Sequence, residues 1–275
     1  MLSTAWQEDC LNMQAVGERK NLIVCLPTSG GKTLVAEILI LREVLRHRRN
    51  VLFVLPYVAI VQEKVRSLSS LALPLGFLVE EYAAGRGSYP PRKRRWKNTV
   101  YVATIEKALG LVSSLLENNR LGEIGLVVVD ELHLLGENGG RGANLEILLT
   151  KLLHTAVDLH IVGMSATIGN LEEVASFLEA ETFFQNFRPV ELQEYIKCED
   201  RIFAINWSAK CPEDICTLSR VINRKNAHDP DYIAGLVMEV VPDESVLVFC
   251  PTKKNCENVA LLICRSMTQC VYCGF

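Results

Sequence analysis

Two glycines, a lysine and a threonine follow one another in the segment Leu26-Pro-Thr-Ser-Gly-Gly-Lys-Thr33. The segment lies between an apolar run that predicts a strand and a stretch that predicts a helix. A glycine-rich turn at such a junction can wrap phosphate groups with backbone N–H groups at the helix N-terminus. Lys32 can then reach the β- and γ-phosphates of ATP, and the Thr33 hydroxyl can ligate Mg²⁺. The predicted phosphate-binding residues are Thr28, Ser29, Gly30, Gly31, Lys32 and Thr33.

Two adjacent acidic residues, Asp130 and Glu131, follow the apolar run Leu126–Val129. Such a pair at the carboxyl end of a buried strand suits the magnesium-dependent hydrolysis of a triphosphate. Asp130 would hold the metal ion, usually through water, and Glu131 would position and deprotonate the attacking water. Together with Lys32, these two acids are the predicted catalytic residues.

Each of these segments also has a plain structural explanation. A glycine-rich turn can merely cap a helix, and Leu26 stands where glycine or alanine usually opens a phosphate loop. Adjacent carboxylates after a strand can cap the helix that follows. The two segments occur together in one chain, as the two halves of an ATP site do, and this combination favours the ATP site over both structural explanations.

The sequence around these segments alternates short β-branched runs with helical stretches from Asn21 to Ala166. That alternation predicts an α/β fold, with a parallel sheet covered by helices on both faces. Because the carboxyl ends of parallel strands share one edge, we expect the phosphate loop and the two acids to meet there. Strands are predicted over Leu22–Leu26, Val51–Leu55, Gly76–Val79, Val100–Thr104, Leu126–Val129 and Ile161–Met164, and helices over Lys32–Arg46, Val58–Leu71, Glu106–Leu116 and Asn144–His154.

The alternation weakens after Asn170, where the sequence predicts a helix to Leu178 and a strand near Phe183–Phe184. The remaining predicted elements are extended segments at Val190–Lys197 and Ile202–Asn206, a helix at Tyr232–Val241, a buried strand at Val246–Cys250 and a helix at Lys253–Arg265. We therefore expect an ATP-binding domain over residues 1–190, a linker over 191–242 and the start of a second α/β domain over 243–275.

Composition and charge exclude several classes of protein. No apolar run reaches the roughly 18 residues of a membrane span, and Met1–Gln14 lacks the basic and apolar regions of a signal peptide. We therefore expect a soluble intracellular protein without a membrane partner.

The ten cysteines are scattered through a long chain, which indicates reduced thiols, and only Cys270 and Cys273 have a metal-type spacing. Because the net charge is −3, any contact with nucleic acid must come from local patches.

One local patch is strongly basic. Between Arg86 and Lys97, six positive charges surround Tyr89 and Trp96, and two prolines prevent a regular helix. The patch is compatible with a contact to duplex or single-stranded nucleic acid, with a nuclear localisation signal, or with a solvated loop. The sequence leaves these three interpretations open.

Further segments carry a resemblance to a known family. The tetrad Asp130-Glu-Leu-His133 and the triplet Ser165-Ala-Thr167 resemble motifs of superfamily-two helicases. Four more segments are similar to the polymerase-theta-like DNA helicases of the helicase Q type, namely Pro56–Lys64, Ala103–Lys107, Arg188–Leu192 and Phe249–Glu257. The similarity extends from Trp6 to Cys264, nearly the whole chain. It implies a RecA-like P-loop NTPase domain followed by the start of a second RecA-like domain.

The resemblance also implies roles for single residues. Gln7 matches the glutamine that recognises adenine through its amide, although a surface glutamine near a terminus is the plain alternative. Coupling between the state of ATP and strand movement is implied for His133, Ser165 and Thr167. The plain alternative is a core histidine for His133 and a strand that ends in small residues for Ser165 and Thr167. Sequence-independent contacts to a nucleic-acid backbone are implied for Pro56, Tyr57, Thr104, Glu106 and Lys107. The plain alternative is that these segments only begin two helices.

By the same resemblance, the parent enzyme would use ATP and Mg²⁺ to move 3′ to 5′ on single-stranded DNA. It would unwind forked DNA during repair in the nucleus, with repair proteins as further partners. The family's later motifs, including the arginine fingers of the second RecA-like domain, do not occur in this sequence, so we expect a truncated chain that binds Mg-ATP with little turnover. Two other interpretations stay open, a non-catalytic nucleotide-binding interaction module and an RNA helicase or remodeller, since phosphate-holding motifs do not report the sugar.

Overall fold

A computed structural model of the protein describes residues 5–27, 30–137, 139–155, 158–166, 168–185, 188, 190–209, 211–222 and 229–272. The chain divides into two compact units, Met1–Val190 and Glu191–Phe275. Within the described ranges, none of the helices combines the length and the apolar character that a membrane span requires.

The first unit alternates helices and strands along most of its length. Its described elements are, in chain order, α1 (Ala5–Leu11), α2 (Gln14–Glu18), β1 (Leu22–Cys25), α3 (Lys32–Arg42), β2 (Asn50–Leu55), α4 (Val58–Leu75), β3 (Leu78–Tyr82), β4 (Thr99–Thr104), α5 (Ile105–Glu117), β5 (Ile124–Val129), α6 (Gly140–Leu153), β6 (His160–Ser165), α7 (Leu171–Leu178) and β7 (Glu181–Phe184). Helix α3 continues as a turn of π-helix over Glu43–His47.

The strands β1 to β7 form one parallel sheet in the order β3-β4-β2-β5-β6-β1-β7. Strands β1, β4, β5 and β6 are buried at every residue, which explains why their sequences are apolar without alternation. Alternate residues of β2 enter two separate cores, since Phe53 packs with Leu68 in one and Leu52 packs with Leu111 in the other. One core therefore covers each face of the sheet, and the predicted RecA-like α/β fold is confirmed.

The strand β3 begins later than predicted because α4 runs on to Leu75. Gly76 ends this helix with a φ of 77°, a conformation that glycine adopts without strain. The N–H groups of Gly76 and Phe77 both donate to the carbonyl oxygen of Ala72, at 2.9 and 3.1 Å. This helix cap turns the chain at the position where the sequence pattern predicted the first residue of a strand.

The second unit contains an antiparallel sheet of order β10-β9-β8, formed by β8 (Tyr195–Cys198), β9 (Arg201–Ile205) and β10 (Cys216–Val221). Its described helices are α8 (Ile233–Met238) and α9 (Lys253–Tyr272). The short turn Glu199-Asp200 joins β8 to β9, with Glu199 at a φ of 52°. The stretch predicted as a linker over 191–242 therefore contains regular structure.

The buried strand predicted over Val246–Cys250 is not formed. Residues 245–250 have neither helix nor strand, and Leu247 and Phe249 are 77% and 88% exposed. An apolar run becomes a buried strand only when a neighbouring strand pairs with its backbone N–H and C=O groups. The described residues provide no such neighbour for this run, and the start of a second RecA-like domain over 243–275 stays a prediction.

Candidate nucleotide-binding site

The phosphate loop and the two acids lie at the same edge of the parallel sheet. The loop follows β1, the acids follow β5, and β6 lies between these two strands. Cys25 pairs with Ser165, and Val129 pairs with Gly163, so the three strands end close together. With neighbouring strands about 4.8 Å apart, the two segments are separated by roughly 10 Å, which a triphosphate and its metal ion can span.

Lys32 opens helix α3 and its side chain turns back to the loop. Its Nζ donates to the carbonyl oxygens of Leu26 (2.8 Å) and Pro27 (3.1 Å). Burial lowers the pKa of Lys32, while the charges of Glu131 and Asp130 raise it. The amine therefore lies within electrostatic reach of both acids, and two neutral oxygens hold it where phosphate oxygens could replace them.

The rest of the phosphate loop is closed by its two glycines. The N–H of Gly30 donates to the carbonyl oxygen of Pro27 (3.3 Å), and Gly31 caps α3 with a φ of 91°. The side chain of Leu26, the residue that departs from the usual motif, is fully buried in one of the two cores. Thr33 lies half-buried in the first turn of α3, whereas Thr28 and Ser29 lie outside the described residues.

Asp130 and Glu131 are held at the end of β5 by backbone contacts. The N–H of Asp130 donates to Val54 on β2 (3.0 Å), and the N–H of Glu131 donates to Oδ1 of Asp130 (3.0 Å). Burial, followed by the charge of Glu131, raises the pKa of Asp130, although Lys32 and Lys64 lower it. Glu131 itself has a left-handed backbone, with φ 53° and ψ 50°, a conformation that costs a non-glycine residue about 1–2 kcal/mol and that often marks a functional position.

His133 joins the end of β5 to the end of β6. Its Nδ1 lies 3.3 Å from Oε2 of Glu131 and 3.3 Å from Oγ of Ser165. Ser165 is fully buried, whereas the imidazole and the Glu131 carboxylate are partly exposed. A change at Glu131 can therefore reach β6 through one side chain. Thr167, the other residue predicted to take part in coupling, lies outside the described residues.

Gln7 lies against the phosphate loop. Its side chain is only 4% exposed, so the alternative of a surface glutamine is wrong. Its Nε2 donates to the carbonyl oxygen of Gly31 (3.2 Å), and a β-carbon at Gly31 would lie 2.8 Å from this nitrogen. Helix α1 thus places the amide next to the start of α3.

The residues predicted to contact nucleic acid lie at the starts of α4 and α5. These helices follow β2 and β4, which are neighbours in the sheet, with Leu55 paired to Thr104. Two helix N-termini therefore lie side by side at the carboxyl edge, and helix N-termini attract phosphate groups. Tyr57 and Glu106 are exposed and Lys107 is half-buried, whereas the predicted contacts Pro56 and Thr104 are buried.

Arg141 links these two helix starts, and its role was not predicted from the sequence. Its guanidinium lies over the ring of Tyr57, 4.9 Å from the centroid, and its Nε lies 3.5 Å from Oε1 of Glu106. The only signal in the sequence is an arginine between Gly140 and Gly142. Such a glycine-rich segment does not show which distant side chains its arginine will contact.

A family model described as DEAD/DEAH box helicase matches residues 4–174 of this chain. Helicase POLQ-like from Drosophila melanogaster is 55% identical over 265 residues, covering 94% of this chain and 25% of the relative. Helicase POLQ-like from Homo sapiens is 54% identical over 269 residues, covering 96% and 24% respectively. ATP-dependent DNA helicase Hel308 from Methanococcus vannielii is 32% identical over 257 residues, covering 90% and 32%. The chain thus spans about a quarter to a third of the length of these relatives.

Proposed function

This chain belongs to the DEAD/DEAH box helicase family, and we propose that it is the ATP-binding motor domain of a DNA helicase of the helicase Q type. In this proposal, hydrolysis of Mg-ATP drives movement 3′ to 5′ along single-stranded DNA and the unwinding of forked DNA during repair in the nucleus. The observation that supports the proposal most strongly is the placement of Lys32, Asp130 and Glu131 at one edge of the sheet, within electrostatic reach of one another.

The residues at this edge fit Mg-ATP. Magnesium is usually bound by one or two carboxylates together with substrate phosphates and water, not by a cage made only of protein. Asp130 and the Thr33 hydroxyl form such a partial set, and the described residues contain no group of three or more metal-binding side chains. The raised pKa of Asp130 also fits a bound metal ion. Its neighbours compensate the charge of this buried carboxylate only in part, and a cation would stabilise it further.

Each residue then has a defined task. Lys32 exchanges the carbonyl oxygens of the loop for oxygens of the β- and γ-phosphates. Glu131 orients the attacking water and accepts its proton. The bound nucleotide supplies the phosphoanhydride bond whose hydrolysis releases the free energy for movement.

Two further contacts connect this chemistry to the rest of the unit. Gln7, held on the carbonyl oxygen of Gly31, presents an amide with both a donor and an acceptor for the adenine base. His133, between Glu131 and Ser165, transmits the state of the γ-phosphate to β6. Both roles are supported by distances of 3.2 to 3.3 Å to the residues that surround the phosphate loop and the acids.

The starts of α4 and α5 are the proposed track for the DNA strand. Backbone N–H groups at two adjacent helix N-termini bind phosphates without regard to sequence, as translocation along any strand requires. Tyr57, Glu106 and Lys107 line this surface, and Arg141 fixes the first two relative to each other. The similarity to an ATP-dependent DNA helicase supports DNA as the substrate.

Nucleotide binding is tested by titrating the chain with a fluorescent ATP analogue, with and without Mg²⁺. Lys32→Ala removes a charge-assisted contact to phosphate and is expected to weaken binding by about 10- to 100-fold. Lys20→Ala is the matched control, because Lys20 is an exposed lysine that precedes β1 at the opposite end of that strand. Equal affinities for the two variants would contradict the proposed site.

Hydrolysis and substrate are tested separately. This chain is expected to release little phosphate, and the release that single-stranded DNA produces is expected to be lost in Glu131→Gln while binding of the analogue is kept. Release that is unchanged in Glu131→Gln would contradict the catalytic role of Glu131, whereas unchanged activity of this variant in cells would favour a non-catalytic nucleotide-binding module. Competition between DNA and RNA of one sequence at a fixed salt concentration then decides the sugar, and preferential binding of RNA would overturn the assignment to DNA.

A further inference from the structure

The segment Arg86–Lys97, here called the basic loop, is fixed to the first unit at its beginning. Its Tyr89 ring stacks on Tyr82 of β3, with centroids 5.8 Å apart, and the Tyr82 hydroxyl donates to the carbonyl oxygen of Ser88 (3.1 Å). The Tyr89 hydroxyl donates to the carbonyl oxygen of Lys107 (2.9 Å), and Lys107 Nζ lies 5.8 Å from the centre of the same ring. The basic loop therefore starts beside the first turns of α5, where the proposed DNA track lies.

A second attachment holds the middle of the basic loop. Nη1 of Arg120 donates to the carbonyl oxygen of Pro91 (2.8 Å), and Pro91 is buried. The loop leaves the carboxyl end of β3 and returns to the amino end of β4, so it runs from the carboxyl edge of the sheet to the amino edge, past Lys107 near the start of α5 and Arg120 after its end. The backbone of the basic loop is therefore attached to the first unit at two points, which restrains where its cations can lie.

Most of the charge of the basic loop is not neutralised. Two of its six cations pair with carboxylates of β3, Arg86 with Glu81 and Arg94 with Glu80. The other four are exposed, and no carboxylate in the described ranges lies within ion-pair distance of them; they are Arg92, Lys93, Arg95 and Lys97. A cluster of unpaired cations attracts a polyanion.

Trp96 adds a second kind of contact. Its side chain is 92% exposed, which is unusual for the largest apolar side chain in a protein. The indole borders a hollow of about 100 Å³ whose lining includes Leu75 and Phe77. An exposed aromatic ring among cations is the arrangement with which proteins hold unpaired nucleic acid, because bases stack on the ring while cations pair with phosphates.

We propose that the basic loop is a second binding surface for single-stranded nucleic acid, which extends the track that begins at α5 toward the amino edge of the sheet. Its cations bind the phosphates and Trp96 stacks on a base. The inference rests on the proposed function, since it takes the starts of α4 and α5 as the first part of the track. It favours nucleic acid over a nuclear import receptor because a side chain suited to stacking lies within the same fixed loop.

The charge contribution is tested with the double variant Lys93→Ala/Lys97→Ala. The matched control is Lys253→Ala/Lys254→Ala, which removes the same number of lysines from α9. Affinity for a fluorescein-labelled oligo(dT) strand is measured over a range of salt concentrations. Two lost phosphate contacts reduce the slope of log K against log salt by about 1.4, so the loop variant is expected to bind more weakly and with less salt dependence than the control.

The stacking contribution is tested with Trp96→Ala and Trp96→Phe. Removal of a stacking ring is expected to weaken oligo(dT) binding by about 5-fold or more, whereas phenylalanine restores part of the affinity. Binding of the fluorescent ATP analogue should stay at the wild-type level in all these variants, which verifies that they are folded.

The outcomes separate the two proposals. Loop variants that match the control in affinity and in salt slope, while the wild type binds oligo(dT), overturn the basic-loop proposal and leave the proposed function intact. A wild-type chain that binds the ATP analogue but no oligo(dT) contradicts both. Loss of binding to a nuclear import receptor with unchanged affinity for DNA would assign the basic loop to the receptor and reject the inference.

Discussion

Gly31 shows how closely the candidate site is packed around single residues. It is both the left-handed cap of α3 and the partner of Gln7, whose amide donates to its carbonyl oxygen. A β-carbon at this position would lie 2.8 Å from Nε2 of Gln7. The phosphate loop therefore needs glycine here for two independent reasons, the backbone angle and the space.

We predict that Gly31→Ala weakens binding of the fluorescent ATP analogue by about tenfold or more, which corresponds to about 1.4 kcal/mol. Gly76→Ala is the control, since Gly76 also has a positive φ but has no atom within 4 Å of the added β-carbon. Both variants should lose about 1–2 kcal/mol of unfolding free energy, measured by urea titration. Binding that is equally strong in the two variants would show that the contact with Gln7 is unimportant.

The sequence predicted the chemistry of single residues better than their contacts. Lys32, Asp130 and Glu131 were identified because their types and their positions after apolar runs are specific to triphosphate chemistry. The hydrogen bond from Gln7 to the phosphate loop depends on how α1 packs, and the contacts of Arg141 depend on where α6 begins. Neither is encoded in a local pattern, so both required the folded structure.

At the scale of elements, His133 connects the ends of β5 and β6 through side chains, in addition to the backbone pairing of the two strands. The imidazole is within 3.3 Å of both Glu131 and Ser165. Strand β6 lies between β5 and β1 in the sheet, and the N–H of Leu26 in the phosphate loop donates to the carbonyl oxygen of Ser165 (3.1 Å). A shift of the carboxyl end of β6 therefore also reaches the phosphate loop.

A double-mutant cycle tests this connection. We expect His133→Ala and Ser165→Ala each to reduce the change in ATP-analogue affinity that oligo(dT) produces, and the double variant to be no worse than His133→Ala alone. The coupling energy should be about 0.5–3 kcal/mol, the usual range for residues in contact. Ser176→Ala, an exposed serine on α7, is the control. Strictly additive effects would mean that the two side chains act separately.

The elements themselves were largely predictable in the first unit and less so in the second. Central strands such as β5 are recognisable because both faces are buried, so that the whole run is apolar. The predicted start of β3 was wrong because Gly76, predicted as the first residue of the strand, caps helix α4. Strand β10 was missed because all of its residues are exposed, and an exposed strand lacks the apolar pattern that identifies one.

For the first unit as a whole, the two edges of the parallel sheet have different tasks. The carboxyl edge keeps its charged groups accessible at Lys32 and Glu131. The amino edge is closed by ion pairs, with Arg19 beside the buried Glu43 (3.1 Å) and Arg49 beside Asp158 (2.8 Å). Arg19 also donates to the carbonyl oxygen of Gly125 (3.1 Å). A β-carbon at Gly125 would overlap the carboxylate of Glu43. The nucleotide therefore has access at the carboxyl edge, while these ion pairs stabilise the amino edge.

His160 lies buried at the start of β6, and burial, aided by the charges of Arg19, Arg42 and His47, lowers its pKa to about 4. Asp158 opposes this shift but does not cancel it. In the unfolded chain a histidine takes up its proton near pH 6.5. Between these two values the unfolded state binds more protons than the folded state, so the unfolding free energy must fall as the pH decreases.

We therefore predict that the wild-type chain loses about 2 kcal/mol of unfolding free energy from this group between pH 7 and pH 5. His160→Gln keeps a neutral polar side chain at every pH and should lack that part of the pH dependence, as measured by urea unfolding at several pH values. His154→Gln provides the comparison, because His154 is exposed at the end of α6 and its replacement should leave the wild-type slope unchanged. If His160→Gln shows the same slope as the wild type, another group must account for the sensitivity of this sheet to acid.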